Sequence, residues 1–288
     1  WVPYYRRDYD YGATSPSAVA IIDTTTDTVV RVLPTGPIPK YVAISPDGKV
    51  AAITHWGDNT VALVDLPSDD PSTFAYRPER LVVERILPQA GLAGKNRDGA
   101  CGHCLRGTVF TPDSKTLLVA RMGTGGIAGF DVATGGYLGT LTGERPSPRH
   151  LVIDETGEWL YLSSNRAGYV SKIRLDTVMQ GFTSAGGETL YIKGYHEARV
   201  GGGARTLQLS PDGKWMFVAV NGRSEVVALD ADTLREEARV AVDAYPVGLA
   251  VSPAGDEVWV TSQGKAGQGG NSVCVIEVQL ADVNKKMD

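Results

Sequence analysis

The sequence lacks the marks of a membrane protein, of a nucleic-acid-binding protein and of two common catalytic motifs. No apolar stretch reaches 18 residues, so we expect no membrane span. The formal net charge is −5, which gives no overall basic footprint for nucleic acid. Gly201–Gly203 is not followed by the Lys-Ser or Lys-Thr of a phosphate-binding loop. No Gly-x-Ser-x-Gly elbow is present, which disfavours a serine hydrolase of that type.

What the sequence does contain is a recurring turn motif. Ser-Pro-Asp-Gly or a close relative recurs with spacings of 66, 43, 56 and 42 residues, starting at Ser45, Thr111, Asp154, Ser210 and Ser252. Each copy lies between two short apolar runs, and a third apolar run that ends in an acidic residue often follows. A period of about 40 to 45 residues with several short strands is the signature of a β-propeller blade.

Each repeat predicts a blade of four antiparallel strands, named a to d from the centre outward. Pro-Asp-Gly makes a tight turn, and the apolar runs are too short for helices. Six units can be counted in one domain over residues 1–288, the first without strand a and the last without a clear strand d. The sequence therefore predicts an all-β protein, a β-propeller of six units, with seven blades as the alternative. Its 42% of hydrophobic residues can fill a large core.

Three segments resemble the YVTN-type propeller repeat of YncE-like proteins and archaeal surface-layer proteins. They are residues 17–24, 59–65 and 245–253. The resemblance covers nearly the whole chain, and it implies a propeller of commonly seven blades. It implies little about activity, because similar repeats occur in binding proteins, surface proteins and the propeller domains of enzymes.

The blade topology divides the loops between two faces. The a–b turns, which carry the turn motif, lie on one face with the c–d turns. The d–a and b–c loops lie on the other face, where we expect functional residues because connecting loops vary most and carry function. Five residues before each turn motif, at the start of the innermost strands, stand Lys40, Arg106, Arg149, Arg205 and Val247.

Four of these five residues are cationic, which predicts a partial positive ring around the opening of the central channel. The b–c loops add four further cations: Arg121, Arg166, Arg223 and Lys265. A local positive funnel on a negatively charged protein concentrates anions, and arginine suits the bidentate capture of carboxylate or phosphate. The alternative is that each arginine pairs with a neighbouring blade.

All four histidines are predicted on the same face. His55 lies in a b–c loop beside Trp56, and we interpret both as part of the ligand site. His150 directly follows Arg149. His103 and His196 lie in two long insertions, at about 90–105 and 180–203, which predict caps over the channel mouth. We expect the second insertion also to supply the outer strand of its blade, near residues 189–193.

Cys101 and Cys104 form a Cys-x-x-Cys pair with three interpretations. The first is a small disulfide that pins the loop in an oxidising compartment. The second is a metal site, completed by His103, His150 or His196 at a spacing that no motif predicts. The third is a dithiol redox centre, although the helix that activates such thiols is not expected here. Leu105 stands where covalent haem attachment needs histidine.

Together these features predict a non-enzymatic extracytoplasmic propeller that binds an anionic small molecule, a glycan or a protein partner at the d–a and b–c face. The alternative is an enzyme of lactonase, lyase or metal-dependent type that uses His150 or His196 as acid or base. No cofactor is implied with certainty, and a metal ion is the one left open. Because the chain starts at Trp1, not at Met, we expect that a signal was removed, and hence a periplasmic or cell-surface location.

Overall fold

The strands form where the repeats predict them. The computed structural model describes residues 1–4, 17–87 and 100–279. These residues contain six β-sheets and a single α-helix. The prediction of an all-β propeller with six units is confirmed, and the last sheet indeed has three strands instead of four.

The first three sheets follow the chain in order. The first sheet contains β1 (Val2–Tyr4), β2 (Ser17–Asp23) and β3 (Thr28–Thr35). The second contains β4 (Pro39–Ile44), β5 (Val50–His55) and β6 (Thr60–Asp65), and two short strands, β7 (Ala75–Tyr76) and β8 (Leu81–Val82), both pair with β6. The third contains β9 (Leu105–Phe110), β10 (Thr116–Arg121), β11 (Ile127–Asp131) and β12 (Tyr137–Thr142).

The last three sheets continue in the same way. The fourth sheet contains β13 (Pro148–Ile153), β14 (Trp159–Ser164), β15 (Tyr169–Arg174) and the outer strand β17 (His196–Arg199). Between β15 and β17 the chain forms α1 (Leu175–Ala185) and β16 (Thr189–Tyr191), which lie outside this sheet. The fifth contains β18 (Ala204–Leu209), β19 (Trp215–Val220), β20 (Glu225–Asp230) and β21 (Glu236–Ala241). The sixth contains β22 (Pro246–Val251), β23 (Glu257–Ser262) and β24 (Ser272–Glu277).

Side-chain hydrogen bonds explain why the turn motif recurs. Ser45 Oγ donates to Asp47 Oδ1 at 2.6 Å and accepts from the Val50 amide at 2.9 Å. Gly48 has a φ of +71°, which glycine adopts without strain. Ser210 and Asp212 repeat the same bond at 2.6 Å in the fifth sheet. These bonds hold the a–b turns closed, and the hydrogen bond from the Ser45 hydroxyl lowers the pKa of the Asp47 carboxyl.

The chain divides into two compact units. The first unit is Trp1–Ser164 with Ser171–His196, and the second is Asn165–Val170 with Glu197–Asp288. One core cluster of the first unit joins the second and third sheets, with Leu63, Leu105 and Phe130 at its centre. One core cluster of the second unit contains Phe217, Val226, Leu249, Val258 and Val260. The prediction of one domain over the whole chain stays a prediction.

The insertion predicted at 180–203 is built differently from the expectation. Helix α1 follows β15 and packs on β12, and β16 pairs in parallel with β12 as a fifth strand of the third sheet. The outer strand of the fourth sheet is β17, so the prediction of that strand near residues 189–193 is wrong. The insertion therefore interrupts a c–d connection, on the turn-motif side, and not a d–a connection.

The reason for this placement is the apolar face of the helix. Leu175, Val178, Phe182 and Ala185 recur at helical spacing and are buried. Phe182 packs where Gly129 has no side chain, since a Cβ there would lie 2.6 Å from the ring. Of the insertion predicted at 90–105, residues 90–99 lie outside the described part of the chain.

None of the described residues forms a helix that is long and apolar enough to cross a membrane.

Candidate functional site

Each innermost strand has a β-bulge at the position five residues before its turn motif. The pairing of β4 with β5 shifts across Lys40, that of β13 with β14 across Arg149, and that of β22 with β23 across Val247. The innermost strands β9 and β18 shift in the same way across Arg106 and Arg205. Because a bulge bends a strand and re-aims its side chain, the cations sit at the irregular point of otherwise regular strands.

In the first unit, β4, β9 and β13 lie side by side and carry three of these cations. Thr54 Oγ1 donates to the Arg106 carbonyl oxygen at 2.9 Å, which ties β9 to the second sheet. Gly107 permits the close approach of β13, since a Cβ there would lie 2.8 Å from the Arg149 carbonyl oxygen. Lys40, Arg106 and Arg149 are therefore held on consecutive inner strands, as the sequence predicts for these three.

Two of these cations lie over the aromatic ring of Trp56. The Lys40 Nζ lies 5.6 Å from the ring centroid, and the Arg106 Cζ lies 4.3 Å from it. The Trp56 side chain is nearly buried, with 8% of its area exposed. Cation–π attraction is strongest where solvent is excluded, so the ring fixes both cations while their charge is kept.

A disulfide between Cys101 and Cys104 lies in the same cluster as Trp56. Its two Cα atoms are 4.8 Å apart, and both residues are buried against Trp56, Ile38 and Met122. Gly123 leaves room for the disulfide, since a Cβ there would lie 2.6 Å from the Cys104 sulfur. Sulfurs joined in this way are not thiolate ligands, and no group of three metal-binding side chains occurs in the described ranges.

Met122 connects this cluster to the third cation. Arg149 Nη1 lies 3.3 Å from the Met122 sulfur, and the Arg149 side chain is buried. Trp56, Met122 and the disulfide thus form one packed floor beside Lys40, Arg106 and Arg149. We call these residues, together with His150 and Tyr41, the cation cluster.

His150 is the candidate acid or base within the cation cluster. Its Nε2 shares a hydrogen bond of 2.9 Å with the Tyr41 hydroxyl. Burial lowers the pKa of His150 to about 4, and the charge of neighbouring Arg149 lowers it further. Burial also raises the pKa of Tyr41 above its usual value. At neutral pH His150 is therefore an uncharged imidazole that can accept a proton.

His55, predicted as a ligand-binding residue, forms hydrogen bonds within the protein through both ring nitrogens. Its Nε2 accepts from the Gly36 amide at 3.1 Å and bonds Thr35 Oγ1 at 2.8 Å, while Nδ1 bonds Thr60 Oγ1 at 2.8 Å. Burial lowers its pKa to about 3. Both ring nitrogens are thus bonded within the protein, and the ligand role of His55 stays a prediction.

His103 and Arg121 form a second internal network. The Arg121 guanidinium lies 2.8 Å from Glu84 Oε1 and 3.0 Å from His103 Nδ1, and the His103 Nε2 lies 3.3 Å from Glu84 Oε2. Burial lowers the pKa of His103, and the charge of Arg121 acts in the same direction. Arg121 was predicted to bind an anion, but it contacts a carboxylate of its own chain.

His196 is separated from His150 by the length of a strand. The His196 ring packs edge-on against Trp159, with ring centroids 5.8 Å apart. Trp159 begins β14, whereas the partner of His150 on that strand is Ser163, about 13 Å further along. His196 is therefore not part of the cation cluster, and its role as an alternative acid or base stays a prediction.

The remaining predicted cations belong to the second unit. Arg205 Nε donates to the Val247 carbonyl oxygen at 3.2 Å, and burial lowers the Arg205 pKa to about 10. Arg223 packs on Gly201, where a Cβ would lie 2.8 Å from its Nε. Arg166 lies in the turn after β14. The convergence of Arg205 with the cations of the first unit stays a prediction.

Two residues of the cluster, and one carboxyl on the same face, are missing from the sequence prediction. Tyr41 directly follows Lys40, and Met122 directly follows Arg121, so their positions beside predicted cations were the available signal. Glu144, after β12, accepts from the Gly126 amide at 2.7 Å through Oε1. Its buried Oε2 has no hydrogen-bond partner among the described residues, and burial raises its pKa.

A family of known proteins matches nearly the whole chain. A family model described as "Lactonase, 7-bladed beta-propeller" matches residues 11–280. The 6-phosphogluconolactonase of Cronobacter sakazakii is 32% identical over 140 residues, which cover 47% of this chain and 40% of that protein. The chain thus matches less than half the length of this curated relative.

Solved structures share the fold. A Bacteroides uniformis protein provisionally described as a 6-phosphogluconolactonase superposes with a TM-score of 0.62 at 18% identity, over 86% of this chain and 72% of that one. The periplasmic gluconolactonase of Pseudomonas aeruginosa gives a TM-score of 0.60 at 19% identity, over 91% and 77%. At such identities these likenesses concern the fold alone.

The family match corrects the sequence prediction. A lactonase model covers residues 11–280, so the assignment to YVTN-type, YncE-like or surface-layer repeats is wrong. The prediction of a non-enzymatic binding or surface protein is wrong for the same reason, and the family match favours the alternative of a lactonase-type enzyme. The repeats misled about family because propellers of different families need the same strands and turns.

Proposed function

Since the chain belongs to the family of seven-bladed lactonase propellers, we propose that it is an enzyme that hydrolyses a sugar lactone carrying an anionic group. The observation that carries this proposal is the cation cluster, in which a neutral, buried His150 lies beside Arg149 on the inner strand next to that of Arg106. The named relative from Cronobacter sakazakii supports the substrate class, a phosphorylated aldonolactone.

The proposed reaction is attack of water on the lactone carbonyl carbon. His150 takes a proton from the attacking water, and the carbonyl oxygen becomes an oxyanion. The oxyanion collapses, the bond from the carbonyl carbon to the ring oxygen breaks, and His150 returns its proton to that ring oxygen. One water is consumed, and the product is an open-chain acid with a new hydroxyl group.

The cations of the cluster have two proposed roles: stabilising the oxyanion and holding the anionic group of the substrate. Arg149 precedes His150 in the chain and is the candidate that stabilises the oxyanion, because a buried guanidinium acts strongly where solvent is excluded. Lys40 and Arg106, fixed on Trp56, are the candidates that hold the phosphate or carboxylate of the substrate. Tyr41 positions the imidazole through its hydrogen bond to Nε2.

We further propose an extracytoplasmic location. A disulfide in the floor of the site persists most readily in an oxidising compartment. The periplasmic gluconolactonase that shares the fold supports the same assignment. Fractionation of the native host, with the protein traced by antibody, tests this location directly.

The test of function is lactone hydrolysis by the purified protein, followed as acid release with a pH indicator. The three substrates are D-glucono-δ-lactone, its 6-phosphate and D-glucarolactone, which carries a carboxylate. We expect acceleration over the spontaneous reaction, with kcat/KM highest for an anionic lactone and falling as salt is added. No acceleration with any of the three lactones would overturn the proposal.

A further inference from the structure

The loop closed by the disulfide carries His103 between Cys101 and Cys104 and holds it in place. The His103 amide donates to Asn59 Oδ1 at 2.9 Å, and the His103 carbonyl oxygen accepts from the Gly123 amide at 2.9 Å. The second bond joins this loop to the loop between β10 and β11. Because both loops are tied down, the His103 imidazole is held at a set distance from the side chains of the β10–β11 loop.

The carboxylate of Glu84 decides which nitrogen of His103 carries the proton. His103 Nε2 lies 3.3 Å from Glu84 Oε2, and a carboxylate accepts hydrogen bonds but does not donate them, so Nε2 is the donor. The other carboxylate oxygen lies 2.8 Å from Arg121 Nη1. Glu84 has a φ of +58°, a strained conformation of the kind that clusters at functional sites. Nδ1 of His103 is therefore left with its lone pair.

The hydroxyl of Thr124 lies beside this lone pair. Its Oγ1 is 2.9 Å from His103 Nδ1, and Thr124 is exposed, with Gly123 and Gly125 on either side of it in the chain. Arg121 donates to the same oxygen from Nε at 3.2 Å and from Nη2 at 3.0 Å, and Nη2 also lies 3.0 Å from Nδ1. A carboxylate, an imidazole and a hydroxyl joined in this order form the arrangement that activates a nucleophile. The guanidinium stabilises negative charge that develops on the hydroxyl oxygen.

The charge state of His103 suits it to take up the hydroxyl proton. Burial lowers the His103 pKa, and the positive charges of Arg121 and Arg85 lower it further, while the charge of Glu84 acts in the opposite direction. Since an unperturbed imidazole titrates near pH 6.5, the His103 ring is uncharged at neutral pH.

The bonds of Arg121 indicate the class of substrate. All three of its guanidinium nitrogens are bonded within the protein, to Thr124, Thr140, His103 and Glu84. The carboxylate of Glu84 also balances its charge. The site therefore suits an uncharged acyl group better than a phosphate.

We propose that Thr124 is a nucleophile that accepts the acyl group of a carboxylic ester, with His103 as its general base and with Glu84 and Arg121 as positioning residues. Thr124 Oγ1 bonds to the ester carbonyl carbon while its proton passes to His103 Nδ1. The bond from that carbon to the alcohol oxygen then breaks, and His103 gives the proton to the leaving alcohol. Water, deprotonated by His103, next attacks the acyl-threonine, so that ester and water become acid and alcohol and Thr124 is restored.

The test uses p-nitrophenyl acetate, whose cleavage releases coloured p-nitrophenolate. The purified protein is mixed with the ester, quenched in acid and analysed by intact-mass and peptide mass spectrometry. We expect a burst of p-nitrophenolate matched by one acetyl group per chain on Thr124, because acylation splits the reaction into two steps. This activity goes beyond lactone hydrolysis and uses none of the residues of the cation cluster, so either proposal can fail alone.

Three substitutions locate the nucleophile and its base. Thr124→Val, which removes the hydroxyl but keeps the branched shape, should lose both the burst and the label, whereas Thr124→Ser should keep both. Thr134→Val is the matched control and should label normally, because the exposed Thr134 hydroxyl donates to the Asp131 carboxylate. His103→Gln should slow acetylation about 100-fold. Thermal melting confirms that each variant is folded.

Glu84→Gln distinguishes a positioning role from a purely structural one. Because the charge of Glu84 opposes the lowering of the His103 pKa by burial, the acetylation rate of this variant should fall at lower pH than that of wild type. An unshifted pH profile would overturn the proposal. So would unchanged acetylation of folded Thr124→Val, or acetyl groups confined to lysine side chains and the terminal amine.

Discussion

Two tryptophans of the first unit hold a pair of cations each, yet their surroundings differ. Trp56 holds Lys40 and Arg106, and Trp159 holds Lys172 at 4.3 Å and Arg174 at 5.2 Å. Trp56 is buried on a disulfide, and its cations sit at bulges. Trp159 begins a regular strand, and Arg174 bonds two carboxylates, Glu158 at 2.8 Å and Asp176 at 3.7 Å.

This difference teaches that the residue types alone do not define a site. An exposed cation that already bonds its own carboxylates gains little from a further anion. A cation in a bulge beside a buried ring lies where charge interactions are less screened. The predictions for the histidines, the tryptophans and the arginines therefore compare a change in the cation cluster with a matched change near Trp159.

The largest effect is expected from the two histidines. His150→Gln should lower kcat for lactone hydrolysis by about 100-fold or more, because it removes the proposed proton carrier. His196→Gln, beside Trp159, should leave kcat unchanged. Steady-state kinetics of both variants checks this expectation, with thermal melting to confirm that each is folded. Equal rates for the two variants would remove His150 from the mechanism.

The pH dependence of activity should reveal the buried state of His150. Its pKa lies near 4, so kcat/KM should stay level below pH 6.5 and fall about tenfold per pH unit only below pH 4. The measurement is kcat/KM as a function of pH in three-component buffer, corrected for spontaneous hydrolysis. If kcat/KM instead begins to fall near pH 6.5, His150 is exposed to solvent in the working enzyme.

Stability should respond to pH in a different window. The folded-state pKa values of His55 and His150 are depressed to about 3 and about 4, whereas the unfolded chain takes up these protons near pH 6.5. The unfolded state therefore binds more protons over this range, and the free energy of unfolding should fall as pH drops from 6.5 towards 4. Urea melts across this range should show that decline, and a flat profile would contradict the burial of both rings.

A smaller effect is expected from the tryptophans. Trp56→Leu should raise KM for the anionic lactone about tenfold, since Lys40 and Arg106 lose the ring that fixes them. Trp159→Leu should change KM less than about twofold. Trp56→Phe, which keeps an aromatic face, should restore most of the affinity. If Trp56→Leu lowers kcat alone, the ring acts on chemistry and not on substrate binding.

The smallest effect is expected from the disulfide. Replacing both Cys101 and Cys104 with Ser should raise KM about threefold by loosening the floor under Trp56. Stability should change little, because so short a loop restricts the unfolded chain only slightly. Cys274→Ser is the control, as Cys274 lies in β24 and forms no disulfide. A variant that fails to fold would show that the loop supports the fold and not the site.

The repeats allowed the strands to be predicted, because each turn is closed by nearby residues such as Ser45 and Asp47. The bulges could not be predicted, since they depend on pairing between strands. The hydrogen bond of His55 to Thr35 could not be predicted, because the two residues lie 20 positions apart. Helix α1 did leave a signal, the helical spacing of Val178, Phe182 and Ala185 before Gly186, which the repeat pattern obscured.

The most direct test of the account is the preference for anionic over neutral lactone. It is measured as the ratio of kcat/KM for 6-phosphogluconolactone to that for D-glucono-δ-lactone, in wild type, in Arg106→Met and in Arg174→Met. We predict that Arg106→Met lowers this ratio by about tenfold or more, while Arg174→Met leaves it within about twofold of wild type. A ratio unchanged by Arg106→Met would contradict the claim that the cation cluster recognises the anionic group of the substrate.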